Sequence, residues 1–189
     1  MTEKRLQVAA SRLFFALWPD DPLRESLRHS TRKAIRASGG RPVPPQNLHV
    51  TLAFLGSVAD ADRAGVAAAA VKVREPAFRF TLDELKVWPR AKTLVLAPGT
   101  ASAELARLYS QLWDGLEETG FAREARPFRP HVTLARKVAT PGKMTLAAPI
   151  EWRADAFALV RSITDPAGAQ YKVIRRWALQ GESPRGPGR

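Results

Sequence analysis

A five-residue segment that occurs twice constrains this chain more than any other feature of its sequence. The first copy, His-Val-Thr-Leu-Ala, spans residues 49–53 and the second spans residues 131–135, in a chain that contains only three histidines. In each copy Val and Leu alternate with His and Thr, and successive side chains of a β-strand point to opposite faces. Each copy is therefore predicted to be a short strand with one apolar face and one face that carries an imidazole beside a hydroxyl. An internal pseudo-symmetry would let the two polar faces meet across a shared cleft.

The elements predicted before the two copies follow the same order in each half of the chain. Before the first copy, an apolar strand over 12–18 leads into a helix for which Asp21 is the expected N-cap. The double glycine Gly39–Gly40 is expected to end that helix. Before the second copy, a strand over 93–97 leads into a helix over 102–119 whose leucines form one stripe.

Further elements complete the predicted fold. We predict an Ala-rich helix, a strand and two closing strands, over residues 59–73, 78–82, 150–163 and 171–179. Helices and short strands in this arrangement are typical of an α+β fold. The repeated order predicts a bilobal, pseudo-twofold arrangement of two mainly antiparallel sheets with outer helices around a central cleft.

Length and terminal composition predict one folded domain with short flexible ends. The chain has 189 residues, enough for one sizeable core or for two small lobes that share one. Residues 1–10 and 182–189 are polar or rich in Pro and Gly, so we expect a flexible N-terminus and a disordered tail. Residues 11–181 are expected to form a single bilobal domain.

Charge and cysteine content limit the classes of function. The net charge of +12 favours an anionic partner, although a basic surface without any role in binding is the alternative. The absence of cysteine excludes disulfides, thiolate nucleophiles and Cys-ligated zinc. No apolar run approaches the ~20 residues of a membrane span, and the N-terminus lacks the apolar core of a signal peptide. We therefore expect a cytoplasmic protein that does not bind membranes.

Two imidazoles beside two hydroxyls can catalyse a displacement at phosphorus. Imidazole titrates near pH 6.5, so one histidine can act as a base while the other acts as an acid. An in-line displacement needs these groups on opposite sides of the phosphorus atom, which a pseudo-twofold pair supplies. Threonine hydroxyls can donate hydrogen bonds to the non-bridging oxygens. A 2′,3′-cyclic phosphate suits such a site, because its strained ring and its poised alkoxide leaving group make acid–base catalysis sufficient.

Other interpretations of the histidines are open at this point. A single His-x-Thr segment is more often structural than catalytic, but a structural role does not explain the duplication. Two histidines without a cysteine or carboxylate at ligand spacing fall short of a usual metal site. A Ser-His-Asp arrangement is compatible with the composition, although the sequence has no Gly-x-Ser-x-Gly segment. The third histidine, His29, is expected on a helix surface without a role.

The segments around both copies resemble the two signature motifs of the 2H phosphoesterase superfamily. Residues 44–56 (PPQNLHVTLAFLG) are similar to the first motif and residues 128–136 (FRPHVTLAR) to the second. The opening strand over 12–17, residues 168–171 and the closing residues 177–179 are similar to further parts of the family pattern. Within the superfamily, the chain resembles the RNA 2′,3′-cyclic phosphodiesterases, historically named 2′-5′ RNA ligases and also called LigT-like proteins.

This resemblance implies an activity and a set of site residues. The activity is hydrolysis of RNA 2′,3′-cyclic phosphate ends to 2′-phosphomonoesters, with neither a metal nor another cofactor. By motif position, His49 is the expected general acid that protonates the leaving O3′, and His131 is the expected general base that activates water. Thr51 and Thr133 are expected to bind the phosphate oxygens, and Arg136 to add a cationic contact.

The residues five positions after each histidine break the repeat. Arg136 lies at an odd offset from His131, so it reaches the site only if the strand bends or ends near Ala135. The equivalent residue of the first copy is Phe54, which we interpret either as a core residue or as a candidate base contact. Family members often carry an aromatic residue shortly before the first motif, where this chain has Arg-Pro-Val at 41–43.

Two other functions are compatible with the same site. One is reversible 2′-5′ RNA ligation, which is the same chemistry run backwards. Hydrolysis is expected to win, because water is present at ~55 M and a competing hydroxyl must match that effective molarity. The other is a non-catalytic module that binds RNA ends. In each case the expected partner is RNA with a 2′,3′-cyclic phosphate end or a small cyclic nucleotide, and we expect a monomer without an obligate protein partner.

Overall fold

The computed structural model describes residues 10–139, 144–165 and 168–179. The strands are β1 (Ala10–Leu17), β2 (Arg41–Pro42), β3 (Val50–Ala59), β4 (Phe78–Leu82), β5 (Glu84–Trp88), β6 (Thr93–Ala97), β7 (Val132–Arg136), β8 (Ile150–Ala154), β9 (Ala156–Asp165) and β10 (Gly168–Ala178). The helices are α1 (Asp21–Ala37), α2 (Arg63–Val71) and α3 (Ala103–Glu117). Two short 3-10 turns cover Pro45–Asn47 and Asp60–Asp62.

Eight strands form one antiparallel sheet, and the two histidine segments meet at its centre. The strand order is β10-β9-β1-β3-β7-β6-β5, with β2 paired to β7, while β4 and β8 form a separate two-stranded sheet. The two halves of the large sheet are joined by the pair Val50 and Val132, each of which directly follows a histidine. The predicted α+β fold with two mainly antiparallel halves is confirmed, and the sheets of the two halves are continuous through this pair.

The two faces of β1 contribute to two separate buried clusters. Leu13, Phe15 and Leu17 belong to the large core, which also contains the buried residues of the three helices. Phe14 and Ala16 point to the opposite face and join a smaller apolar cluster from β9 and β10. Strand β1 is therefore apolar on both faces. One face packs in the large core beneath the helices, and the other belongs to the smaller cluster with β9 and β10.

The helices are amphipathic and pack against the large core. The buried face of α3 contains Leu105, Leu108, Leu112, Trp113 and Leu116. Helix α2 packs closely on α3 at Gly115, where a Cβ atom would lie 3.0 Å from the carbonyl oxygen of Ala69. The histidine motifs contribute their valines, leucines and alanines to the same core, which leaves the imidazoles and hydroxyls on the other face of the sheet.

Two helix predictions differ in detail from the structure. Asp20, rather than Asp21, caps α1, because its carboxylate accepts a hydrogen bond from the backbone N–H of Leu23 at 2.9 Å. The predicted helix over 59–73 begins as a 3-10 turn and is α-helical only from Arg63 to Val71.

The predicted strand over 150–163 is two strands in different sheets. It breaks at Asp155, whose carbonyl oxygen accepts a hydrogen bond from the backbone N–H of Leu179 at 2.8 Å. Residues of β8 alternate between buried and exposed, whereas β9 begins with an apolar run that is buried over 157–160, so a single period does not describe the whole segment. No strand is predicted over Glu84–Trp88, where the structure has β5, although its first four residues alternate between charged and apolar.

Several domain predictions fall at the ends of the chain. Ala10 lies in β1, so this residue of the predicted flexible N-terminus is part of the sheet. Residues 1–9 and the predicted tail over 182–189 lie outside the described residues, as do Pro166 and Ala167 between β9 and β10. In the part of the chain that the structure describes, every helix falls short of the length and apolar character that a membrane crossing requires.

Candidate active site

The two His-x-Thr pairs lie together in one cavity at the junction of the two halves. Because the strands run antiparallel through the single valine pair, the neighbouring rows place His49 across from Thr133 and His131 across from Thr51. All four side chains line a central cavity of about 450 Å³, together with Arg136. The predicted meeting of the two polar faces is therefore what the sheet register produces.

Both imidazoles are held in the same tautomer by backbone carbonyl groups. The Nδ1 atom of His49 lies 2.6 Å from the carbonyl oxygen of Asn47, and Nδ1 of His131 lies 2.7 Å from that of Arg129. A carbonyl oxygen can only accept, so each Nδ1 carries a proton and donates it. In the neutral ring Nε2 is then an acceptor, and His49 Nε2 lies 3.1 Å from the hydroxyl of Thr51. Each Nε2 is therefore the atom available for proton transfer.

A β-bulge occurs at the same position of each copy. Leu52 of β3 and Leu134 of β7, the fourth residues of the two copies, are skipped when these strands pair with β1 and β6. The carbonyl oxygen of Leu52 instead accepts a hydrogen bond from the indole of Trp113 at 3.3 Å. That of Leu134 accepts one from the backbone N–H of Val43 at 2.8 Å. Both bulges are thus satisfied by groups outside the paired strand.

The bulges explain how the residues five positions after each histidine reach the cleft. One extra residue reverses the alternation, so Arg136 points to the same face as Thr133 and lines the central cavity. The same change brings Phe54 to the face of Thr51, where it also lines that cavity. The interpretation of Phe54 as a core residue is wrong, because its side chain is 43% exposed. The guanidinium of Arg12 lies over its ring at 5.5 Å.

His49 lies among aromatic rings from β1, from the residue that follows β1 and from β10. Trp18 stacks on the imidazole at 5.4 Å with an interplanar angle of 15°, Phe14 lies at 5.0 Å, and Tyr171 meets it edge-on at 5.4 Å. The carbonyl that orients His49 belongs to Asn47, whose buried side chain donates through Nδ2 to the carbonyl oxygen of Ala169 at 2.8 Å. The orientation of His49 is therefore coupled to the start of β10.

His131 has a different environment. The ring of Trp88, at the end of β5, lies 4.4 Å from the imidazole at an angle of 58°. Its orienting carbonyl belongs to Arg129, an exposed residue of the irregular segment before β7. Sequence reasoning assigns no role at the site to Trp18, Trp88, Tyr171 or Asn47. Trp18 and Tyr171 flank or lie in segments that resemble the family pattern, whereas nothing in the sequence around Trp88 indicates its contact with His131.

Burial lowers the pKa of both histidines. The pKa of His49 falls to about 4 because burial disfavours the charged ring, while the hydrogen bond to Asn47 opposes the shift and His131 and Arg136 add to it. The pKa of His131 is also lowered, mainly by burial and further by the charge of Arg136, against the hydrogen bond to Arg129. Both rings are therefore neutral at pH 7 in the free protein.

Two grooves adjoin the central cavity, and they have no lining residue in common with each other. The first, of about 520 Å³, contains His49, Thr133 and the side chains of Arg41, Arg136 and Lys137, and we call it the basic groove. The second, of about 550 Å³, contains His131 and Thr51 and continues along aromatic side chains. We call it the aromatic groove, and its rings are Phe54, Trp88, Tyr109, Trp113 and Phe128. Each groove thus holds the histidine of one copy and the threonine of the other.

The remaining predictions concern His29 and metal binding. His29 lies on the exposed side of α1, as predicted. Over residues 10–139, 144–165 and 168–179, the structure contains no group of three or more His, Cys, Asp or Glu side chains placed to hold a metal ion together.

Comparisons with known proteins show the family and agree with this fold. The family model described as the 2′-5′ RNA ligase superfamily matches residues 19–166. The chain is 32% identical to an RNA 2′,3′-cyclic phosphodiesterase of Escherichia coli over 171 residues, which cover 89% of this chain and 96% of the relative. A protein of the same name from Thermus thermophilus is 34% identical, with 94% and 96% covered.

A solved structure resembles this chain over nearly its whole length. The crystal structure of E. coli LigT complexed with 3′-AMP superimposes with a TM-score of 0.83 at 31% identity, covering 90% of this chain and 99% of that one. The predicted family and fold class are confirmed. This chain belongs to the 2′-5′ RNA ligase superfamily.

Proposed function

We propose that this protein hydrolyses RNA 2′,3′-cyclic phosphate ends to 2′-phosphomonoesters by two-histidine acid–base catalysis, without a metal. The observation that carries the proposal is the pair of imidazoles with identical tautomers in one cavity. Both keep Nε2 available for proton transfer, and two threonines and Arg136 line the same space. The names of the curated relatives bear out the prediction of an enzyme of this type.

In the proposed reaction, His131 acts as the general base and His49 as the general acid. His131 Nε2 takes a proton from water, and the water oxygen forms a bond to phosphorus on the side opposite O3′. The bond between phosphorus and O3′ breaks, and O3′ receives the proton of His49 Nε2. The phosphate remains on O2′, and proton exchange with solvent returns both rings to their starting states. Each proton transfer of this kind contributes typically 10²–10⁴-fold to the rate.

In the free protein the pKa values of both histidines are lowered. A neutral His131 is ready to act as the base, whereas His49 must gain a proton when the substrate binds before it can act as the acid. A phosphodiester anion in the cavity favours the charged imidazole, so it raises the pKa of both rings. In the free protein, neutral His49 accepts a hydrogen bond from Thr51. Once Nε2 of His49 is protonated it can no longer accept, and the Thr51 hydroxyl is released to donate to a phosphate oxygen. Thr133 and Arg136 contribute the other donors to the non-bridging oxygens.

The experiment uses an RNA that ends in a 2′,3′-cyclic phosphate, with EDTA present throughout. We expect wild-type protein to produce a 2′-phosphate, and H49A and H131A each to lower the rate by about 10²–10⁴-fold. H29A is the matched control, because this third histidine lies on the exposed side of α1, and it should retain the wild-type rate. Thermal melting checks that each variant folds.

Each alternative gives a different result in this experiment. An RNA-end binding module would show binding of the cyclic-phosphate end without turnover, which would overturn the proposal. A ligase that uses the same site would join a second RNA through its 5′-hydroxyl and form a 2′-5′ linkage, in place of the free 2′-phosphate. A 3′-phosphate product, or loss of activity with EDTA, would also contradict the proposed chemistry.

A further inference from the structure

The basic groove contains three cationic side chains beside the reacting site. Arg41 of β2 and Arg136 of β7 are direct cross-strand partners, and Lys137 follows Arg136 with a left-handed backbone φ of 56°. All three line the groove that also contains His49 and Thr133. Among the described residues that line this groove there is no Asp or Glu, whereas the aromatic groove includes Glu124.

The backbone holds the two arginines opposite each other. Gly40 allows β2 to approach β7, since a Cβ atom at this position would lie 2.9 Å from the carbonyl oxygen of Arg136. The pairing continues through the hydrogen bond from Val43 N–H to the bulge carbonyl of Leu134. A phosphate in the groove therefore lies beside guanidinium groups from both strands, and a guanidinium–phosphate contact is a strong, charge-assisted hydrogen bond.

The stereochemistry of the proposed reaction shows which part of the substrate extends on this side. O3′ leaves toward the general acid, so C3′ of the terminal ribose lies on the side of His49. C4′ and C5′ continue from C3′ and carry the 5′ phosphodiester, so the RNA chain extends on that same side. The base is bonded to C1′, next to C2′, and is directed away from the axis of displacement. The groove that contains His49 is the basic groove.

We propose that the basic groove binds the phosphodiester immediately 5′ of the terminal nucleotide, with Arg41 as the specificity-determining residue. The inference rests on the proposed function, with His49 as the acid. It specifies the substrate as the end of an RNA chain in preference to a cyclic mononucleotide, because a mononucleotide has no phosphate for this groove. Arg136 lines both the central cavity and the groove, whereas Arg41 lines the groove and is absent from the lining of the central cavity.

The experiment compares kcat/KM for three substrates that differ on the 5′ side of the terminal nucleotide, and two of them differ only in the charge of the linkage. They are 2′,3′-cyclic AMP, the dinucleotide ApA with a 2′,3′-cyclic phosphate, and the same dinucleotide with a neutral methylphosphonate linkage. We expect wild-type protein to prefer the charged dinucleotide over both others by about tenfold, the size of one charge-assisted hydrogen bond. The preference should weaken with salt, with a slope of about 0.7 for one contact to single-stranded RNA.

Three arginine variants with the same change of charge locate the effect. R41Q should lose most of the preference for the charged dinucleotide, whereas R32Q on the exposed side of α1 should keep it. R126Q removes an exposed arginine of the aromatic groove and should also keep the preference. Thermal melting of R41Q checks that β2 remains paired.

The outcomes separate this inference from the proposed function. Equal use of the charged and neutral dinucleotides, or a wild-type preference in R41Q, would overturn the inference while leaving the hydrolysis intact. Loss of the preference in R126Q instead of R41Q would show that the chain extends through the aromatic groove, which also overturns it. Failure of wild-type protein to hydrolyse any of the three substrates would reject the proposed function itself.

Discussion

The two halves of the cleft contain the same His-x-Thr motif, but the residues around the motif differ between them. Each half has a histidine before a strand, a backbone carbonyl that keeps the proton on Nδ1 and a β-bulge at the fourth residue of the copy. Around His49, however, three aromatic rings and the buried Asn47 form an enclosed pocket, whereas His131 contacts Trp88 and is held by a carbonyl of an exposed segment. The repeated features position two equivalent imidazoles, and the unrepeated ones give the two imidazoles different surroundings.

The largest expected effect tests this division of roles directly. A substrate with sulfur in place of the 3′ bridging oxygen has a leaving group that needs no proton. We expect H49A to act on this substrate within about tenfold of wild type, while H131A remains slower by about 10²–10⁴-fold, because it still lacks the base. Rates are measured for both variants on both substrates. Rescue of H131A instead would show that the two roles are reversed.

A smaller effect is expected two residues after each bulge, where one half carries Arg136 and the other Phe54. R136Q removes a charge-assisted hydrogen bond to the reacting phosphate and should lower kcat/KM by about 10–100-fold. R136K should recover part of this loss, because it keeps the charge without the planar fork. Steady-state kinetics with the cyclic-phosphate dinucleotide measure the effect. A wild-type rate in R136Q would show that the guanidinium does not contact the phosphate.

Phe54 is predicted to contact the base of the substrate rather than the phosphate. F54A should raise KM for nucleotide substrates by about tenfold with a small change in kcat, since stacking on an aromatic ring stabilises a bound base by about 1–3 kcal/mol. F54W is the control that keeps an aromatic surface. Equal KM values for F54A and wild type would remove Phe54 from the binding site.

Asn47 offers a way to perturb one half alone. N47A removes the hydrogen bond to Ala169 that anchors the carbonyl facing His49, so His49 should lose its single tautomer while His131 keeps its own. We expect a rate loss of about tenfold, within the range of a hydrogen bond of this kind. The ring nitrogen chemical shifts of the two histidines measure the tautomers within one sample. Unchanged shifts for His49 would show that Asn47 does not position it.

The smallest expected effect is a difference between the pH dependence of kcat/KM and that of kcat. The pKa of His49 is lowered to about 4 in the free protein, and that of His131 is also lowered. The acid must be protonated, so kcat/KM, which reports the free enzyme, should already decline with rising pH below pH 6.5. The bound phosphate raises both pKa values, so the fall in kcat should occur at higher pH. Coincident profiles would contradict this effect of the substrate.

Much of the site could be predicted from the repeat, and the repeat also shows where such prediction ends. The placement of His49 with Thr51, and of His131 with Thr133, on one face of a strand follows from the alternation of side chains, and the meeting of the two faces is predicted on the condition of an internal pseudo-symmetry. The odd offset of Arg136 indicates that the strand must deviate, but not where. The structure places the bulge at Leu134, which is skipped in the register with β6 and whose carbonyl oxygen accepts a hydrogen bond from the backbone N–H of Val43.

Other residues of the site lie far from the motifs in sequence, and no local pattern connects them. Trp88 reaches His131 because β5 lies next to β6, at the edge of the sheet. Tyr171 reaches His49 from β10, which lies beyond β9 on the side of β1 away from β3. The change of sheet at Asp155 likewise depends on strand pairing, because β8 pairs with β4 whereas β9 pairs with β1 and β10.

The sequence by itself determined the two polar pairs, the α+β order of elements and the chemistry that two imidazoles can perform. These properties depend on residue identity and on short-range periodicity, which are local. Only the tertiary structure decided that the halves join through Val50 and Val132, that aromatic rings enclose His49 more than His131, and that Arg41 lies opposite Arg136. Those properties depend on strand pairing between segments distant in the chain, where packing and hydrogen bonding of the whole sheet select one register.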